Sequence, residues 1–169
     1  MPDASQWTLT QDRIQKTNAM VREFLEGLES DLWFRMPQEG ITHIAWQVGH
    51  LTWANYGIGL VRIRGTRAED AALLPESYQK VFGRGSVPST DRAIYPSQER
   101  LLEIFNQVNT QIEKEMQTYT LEQLAEPSEP AHPLFPTKFD ALVFLPYHMM
   151  MHFGQMGLLR RLAGKEPLR

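Results

Sequence analysis

Four stretches of the chain space their apolar residues at helical rather than strand intervals. From about Thr10 to Leu28, Ile14, Val21, Phe24, Leu25 and Leu28 fall on one stripe, with Arg22, Glu23 and Glu26 off it. From about Thr42 to Arg64, Ile44, Val48, Leu51 and Ile58 mark a core face, and Trp46, Trp53 and Tyr56 widen it. A helix this apolar all round is expected to be heavily buried, and Arg62, Arg64 and Gly65 signal its end. From about Ser97 to Tyr119, after Pro96, the residues Leu101, Phe105, Val108, Ile112, Met116 and Tyr119 keep a near-heptad rhythm. Glu103, Glu113, Lys114 and Glu115 are expected to face water. The fourth stretch runs from about Thr137 to Ala163. It opens with Thr137 and Asp140 at capping-box spacing, carries Arg160 and Arg161 in its last turn, and stops at Gly164 and Pro167. Pro146 lies inside it and removes the hydrogen bond to the Leu142 carbonyl, which predicts a kink.

The connections shape the expected topology. Residues around Pro37 and Gly40 join the first two helices. Roughly thirty residues, Gly65 to Pro96, rich in Gly, Pro and Ser, separate the second from the third. So long a crossover lets helices two and three run parallel and offers a natural lid over one end of the bundle. The link from Thr120 to Pro136 holds Pro127, Pro130, Pro133 and Pro136 and reads as extended chain. The expected fold is all-α: an antiparallel four-helix bundle with a long crossover between helices two and three, one domain over residues 1–169.

Composition narrows the function. At 169 residues, 42% hydrophobic and 22% charged, the chain has enough apolar material for one sizeable core. A net charge of -3 argues against a nucleic-acid surface, and the cluster Arg62, Arg64, Arg67 reads as a solvated helix end. There is no cysteine, so disulfides, thiolate metal sites and cysteine nucleophiles are excluded. Residues 1–13 lack the apolar core of a signal peptide, and the apolar run Phe139 to Phe153 is short for a bilayer. A cytoplasmic location without membrane partners is the default expectation.

The histidines carry the chemistry. His148 and His152 stand four apart, so both imidazoles share one helical face and can reach one metal ion. The zinc-protease helix uses this spacing but needs Glu after the first His, where this chain has Met149. A third ligand must come from another helix. His43 and His50 are about 10.5 Å apart along the second helix at roughly 1.5 Å per residue, too far to share an ion directly. His50 lies in the apolar run, where an imidazole without a partner is costly, whereas His43 can cap the helix start. His50 is therefore the candidate, and His132, between Ala131 and Pro133, is a loop residue. Against this stands the commoner case, in which a His pair at helical spacing is two ordinary histidines.

The run Ile44 to Leu51, with Trp46, Gly49, His50 and Leu51 in W-x-x-G-H-L order, resembles the DinB-like four-helix proteins. So does His148-x-x-x-His152-Phe153-Gly154-Gln155, together with Tyr95-Pro96-Ser97 and the closing Arg160 to Gly164. The likeness spans nearly the whole chain. It implies an antiparallel four-helix bundle, often a homodimer, holding one divalent metal ion, commonly zinc or nickel, on three histidines that map onto His50, His148 and His152. His43, where relatives often carry Asn or Ser, and Pro146 depart from the pattern, and Pro146 could alter the aim of the ligands.

Three neutral imidazoles leave an ion open to further ligands, as in catalytic sites. Such an ion can acidify a bound water or a coordinating thiol. The leading expectation is a metal-dependent enzyme that transfers a low-molecular-weight thiol, its cosubstrate, or hydrolyses a small-molecule substrate. Trp46, Trp53 and Tyr147 are candidate pocket walls, and Gln155 is a candidate for orienting a ligand. For the aromatics, core filling is the simpler role. Met149, Met150 and Met151 read as flexible packing, and Gly154 as a site of close helix contact. No general base stands out. The competing classes are a non-catalytic metal- or ligand-binding bundle and a purely structural bundle with histidines in its core.

Overall fold

The computed structural model describes residues 2–166, so Pro167, expected to follow the last helix, lies outside the described residues. Four long helices dominate: α1, Ala4–Glu26; α2, Ile44–Tyr56; α3, Gln98–Met116; and α4, Lys138–Leu162. Among the described residues there is no strand, only an isolated bridge between Pro127 and Thr137.

Side-chain pairings fix the directions. Between α2 and α3 they advance together: Asn55 meets Asn109, Gly59 meets Ile112, and Arg64, just beyond α2, meets Glu115. These helices run parallel, as the long crossover predicts. Between α1 and α3 they run in opposite senses, with Gln11 at Met116, Asn18 at Glu113 and Arg22 at Asn106. Between α2 and α4, Gln47 meets His152 and Asn55 meets Met149, again antiparallel. The order is up, down, down, up, so the first and last helices run parallel.

Helix ends follow local chemistry. α1 begins earlier than the apolar stripe suggests, because Asp3 and Gln6 form a reciprocal capping box ahead of Trp7. The expected box of Thr137 and Asp140 is present at α4, and that helix runs unbroken through Pro146. α2 continues into a π-turn, Gly57–Val61, and a last helical turn, Arg62–Arg64, before Gly65 reverses the chain at φ 79°. A Cβ at Gly59 would lie 2.8 Å from Ile112 Cδ1, so glycine lets α3 approach there.

Several expectations are corrected. The link after α3 is not simply extended, since Thr120 and Gln123 cap a short helix, Leu121–Ala125. The crossover holds two short helices, Asp70–Leu73 and Ser77–Phe82, and a tight turn, Arg92–Ile94. Glu115 does not face water, and Arg64 is not a solvated helix end. Their side chains are only 9% and 7% exposed: Arg64 Nε donates to Glu115 Oε2 at 2.6 Å. The Arg64 Nη2 donates to Asp70 Oδ1 at 2.8 Å. Gly154 is exposed, with nothing within 4 Å of where a Cβ would stand, so it serves no close contact.

Candidate metal centre

α2 and α4 cross antiparallel with His50 facing the His148–His152 turn. The three side chains each offer one ligating nitrogen, and these lie within 4.8 Å of one another. The Nε2 atoms of His148 and His152 are 3.1 Å apart. A tetrahedral ion with Zn–N bonds of about 2.0–2.1 Å sets its nitrogen ligands about 3.3 Å apart, so the α4 pair already has ligand spacing. His50 offers the third nitrogen, within 4.8 Å of that pair.

The remaining ring nitrogens explain the aim. The carbonyl of Phe82 accepts from His50 Nδ1 at 2.8 Å, and Gln47 Oε1 accepts from His152 Nδ1. With the proton held on Nδ1, Nε2 keeps its lone pair for an ion. His148 Nδ1 is buried without a protein partner. Burial, and then the neighbouring His50, push His148 down to about 4. Burial, then His148 and His50, push His152 down to about 3. Burial also lowers His50, against the opposing pull of the Phe82 carbonyl. Near neutral pH all three imidazoles are uncharged, the state a metal ligand requires.

Aromatic rings surround the cluster. Trp46 stacks on His50 with centroids 4.9 Å apart and planes 9° apart, and its Nε1 donates to Ser86 Oγ at 3.2 Å. Trp53 lies 5.8 Å from His50, and its Nε1 donates to Gln79 Oε1 at 2.8 Å. The crossover segment from Gln79 to Ser86 is thereby tied to α2 at three points, one of them His50. Phe144 stacks beside His148 at 5.7 Å. Tyr147, by contrast, is 69% exposed and lines a groove between α1 and α4 with Leu9 and Thr10. Gln155 is exposed one turn beyond His152.

The other two histidines stand apart. His43 is the N-cap of α2, its Nδ1 accepting from the Trp46 N–H at 3.1 Å, and it packs edge-on against Tyr95. His132 stacks on Phe135 in the loop before α4. Sequence reasoning missed Gln47, Phe82 and Phe144. Gln47 and Phe144 had a usable signal, since Gln47 lies one turn before His50 and Phe144 one turn before His148. Phe82 had none, because it acts through its backbone carbonyl.

A family model described as the DinB superfamily matches residues 13–156. The chain belongs to the DinB superfamily. A search of curated proteins finds no significant match. Membership of the DinB superfamily and the three-histidine cluster together fit a metal-binding protein. No helix among the described residues is long and apolar enough to cross a membrane.

Proposed function

We propose that His50, His148 and His152 bind one divalent ion, zinc or nickel, and that this DinB-superfamily protein is a metal-dependent enzyme acting on a small molecule with a low-molecular-weight thiol. The observation that carries the reading is the convergence of three uncharged imidazoles, two of them aimed by acceptors on their outer nitrogens. An ion held this way supplies a Lewis acid with open positions, able to acidify a thiol or a water. The chain supplies the rest. Gln47 and the Phe82 carbonyl fix ring orientation, Trp46 and Trp53 form an apolar wall beside His50, and burial keeps protons off the ligands. The candidate ligand group is made of histidines alone, and the acceptors on two outer nitrogens are a carbonyl and an amide. Thiol transfer is the first reading and hydrolysis, through an acidified bound water, the second. Self-association belongs to the same proposal, supported by the exposed Leu9, Tyr147 and Met150 along one α1–α4 groove.

The first test is the metal content of tag-free protein purified without chelators, by plasma mass spectrometry. Near one zinc or nickel per chain is expected, lost in His50→Ala and in the His148→Ala/His152→Ala double variant while helical content is retained. Absence of metal in the wild type, with no stoichiometric uptake when both ions are offered, would leave the histidines as core residues. Metal-dependent conjugation of a thiol to an electrophile supports transfer, whereas turnover without thiol supports hydrolysis. Light scattering tests the dimer.

A further inference from the structure

The outer nitrogens of His50 and His152 are held by two neutral acceptors, a backbone carbonyl and the Gln47 amide. Carboxylates commonly fill this role and then offset the charge of the ion, whereas an amide does not. Gln47 is 2% exposed, on α2 one turn before His50, so no solvent counter-ion reaches its place. Beyond Phe144, the next ring is Phe135, and Arg62 lies 4.8 Å over its face. Partial burial, and then the positive charges of Arg62 and Arg84, lower His132 on that same ring. Arg62 thus stands as a positive charge two rings out from His148, and the walls at Trp46, Trp53 and Phe144 are neutral.

We propose that Gln47 is a positioning residue with two effects: it aims His152 Nε2 into the cluster, and as a neutral acceptor it leaves a bound ion without a compensating protein charge, so that the further ligand the ion takes is a small monoanion. This rests on the metal reading above. The monoanion provides the negative charge that the protein withholds, beside two buried imidazoles where charge pairing is stronger than in water. A Glu at position 47 would provide that charge from the protein and weaken the hold on the anion.

The test loads wild type, Gln47→Glu and Gln47→Met with cobalt(II), reads the visible absorption, and titrates azide, acetate and neutral imidazole at fixed ionic strength. Helical content is checked for each variant. In the wild type, azide and acetate are expected to shift the spectrum at saturable concentrations. Gln47→Glu is expected to bind acetate and azide about tenfold more weakly or worse, with imidazole unchanged. Gln47→Met is expected to lose about 10–100-fold in cobalt affinity. Wild type that takes imidazole but neither anion overturns the charge argument, as does a cobalt-loaded Gln47→Glu with unchanged anion affinities. A Gln47→Met protein with wild-type cobalt affinity overturns the positioning role. Should Gln47→Glu fail to fold, the wild-type comparison and Gln47→Met still decide both halves. A folded wild type that develops no cobalt spectrum removes the metal reading itself, and this inference with it, a result distinct from all the others.

Discussion

Gly49, the residue before His50, links packing to the site in a single atom. A Cβ there would lie 2.3 Å from Phe82 Cε1 and 2.4 Å from Phe82 Cδ1. The ring cannot yield cheaply, being fully buried against Tyr78 at 4.8 Å and Tyr95 at 5.9 Å. Gly49→Ala therefore forces the Phe82 backbone outward, and with it the carbonyl that accepts from His50 Nδ1. Overpacking of this kind costs about 1–3 kcal/mol. Replacing a helical glycine by alanine returns about 0.5–1 kcal/mol. The net expectation is a loss of about 1–2 kcal/mol, or roughly 2–8 °C in Tm for a chain of this size. Gly154→Ala, on α4 with nothing near its Cβ, is the control, and it should gain about 0.5–1 kcal/mol. Urea unfolding of both metal-free variants reads the stability, and zinc affinity by competition with a chelating dye reads the site. A Gly49→Ala protein that is as stable as Gly154→Ala and binds zinc like wild type would refute the reasoning.

Other outcomes follow from the buried groups. Arg64→Ala leaves Asp70 and Glu115 without their shared partner and should cost about 3–5 kcal/mol in urea melts at pH 7. At both carboxyls burial pushes upward, but hydrogen bonds from Arg64 outweigh it, helped at Asp70 by the Arg67 N–H and at Glu115 by Gln111, so both stay below their ordinary values. Their contribution is present above the ordinary carboxylate range near pH 4 and is lost as pH falls through the lowered folded values, so the Arg64→Ala deficit should shrink in acid. For the histidines the depressed values mean that protons compete poorly for the folded site. Nickel affinity should fall less between pH 7.5 and pH 5.5 than at an ordinary site, because His148 and His152 stay uncharged throughout, whereas three imidazoles at the ordinary 6.5 would each lose about tenfold by titration at the lower pH. The metal-free fold should instead weaken as pH drops below about 6.5, because the unfolded chain takes up protons that the folded one refuses. Asn109→Leu should cost about 1–3 kcal/mol by stripping the buried Asn55 amide of its acceptor, and Asn55→Leu/Asn109→Leu should recover part of that loss.

Much of the fold and the heart of the site are legible in residue spacing alone. The stripes of Ile14–Val21–Leu25 and Leu101–Phe105–Val108–Ile112 give the helices and their buried faces, since burial of a long amphipathic segment leaves a strong period. The i, i+4 spacing of His148 and His152 places them together for a purely geometric reason. What spacing misses depends on distant partners. Glu115 looks solvent-bound on its own helix and is buried only because Arg64 arrives from another. The start of α1 is set by polar capping at Asp3 rather than by apolar spacing. Gly154 and Gly49 look alike in sequence, and only the position of Phe82 tells which one a side chain would disturb.

The up, down, down, up order also bears on how the chain is made. The ribosome releases α1 first and α4 last, yet these two lie side by side, with Phe24 against Phe153 at 5.4 Å. His50 likewise emerges roughly a hundred residues before His148 and His152. Until α4 leaves the exit tunnel, the nascent chain lacks the wall that Ala141, Leu142, Leu145, Met149, Met156 and Leu159 add to the core, and it holds one of the three histidines of the site. Emergence of α4 is thus the event that closes the bundle, and a shortened translation product ending before α4 would present its apolar faces to chaperones and proteases rather than fold.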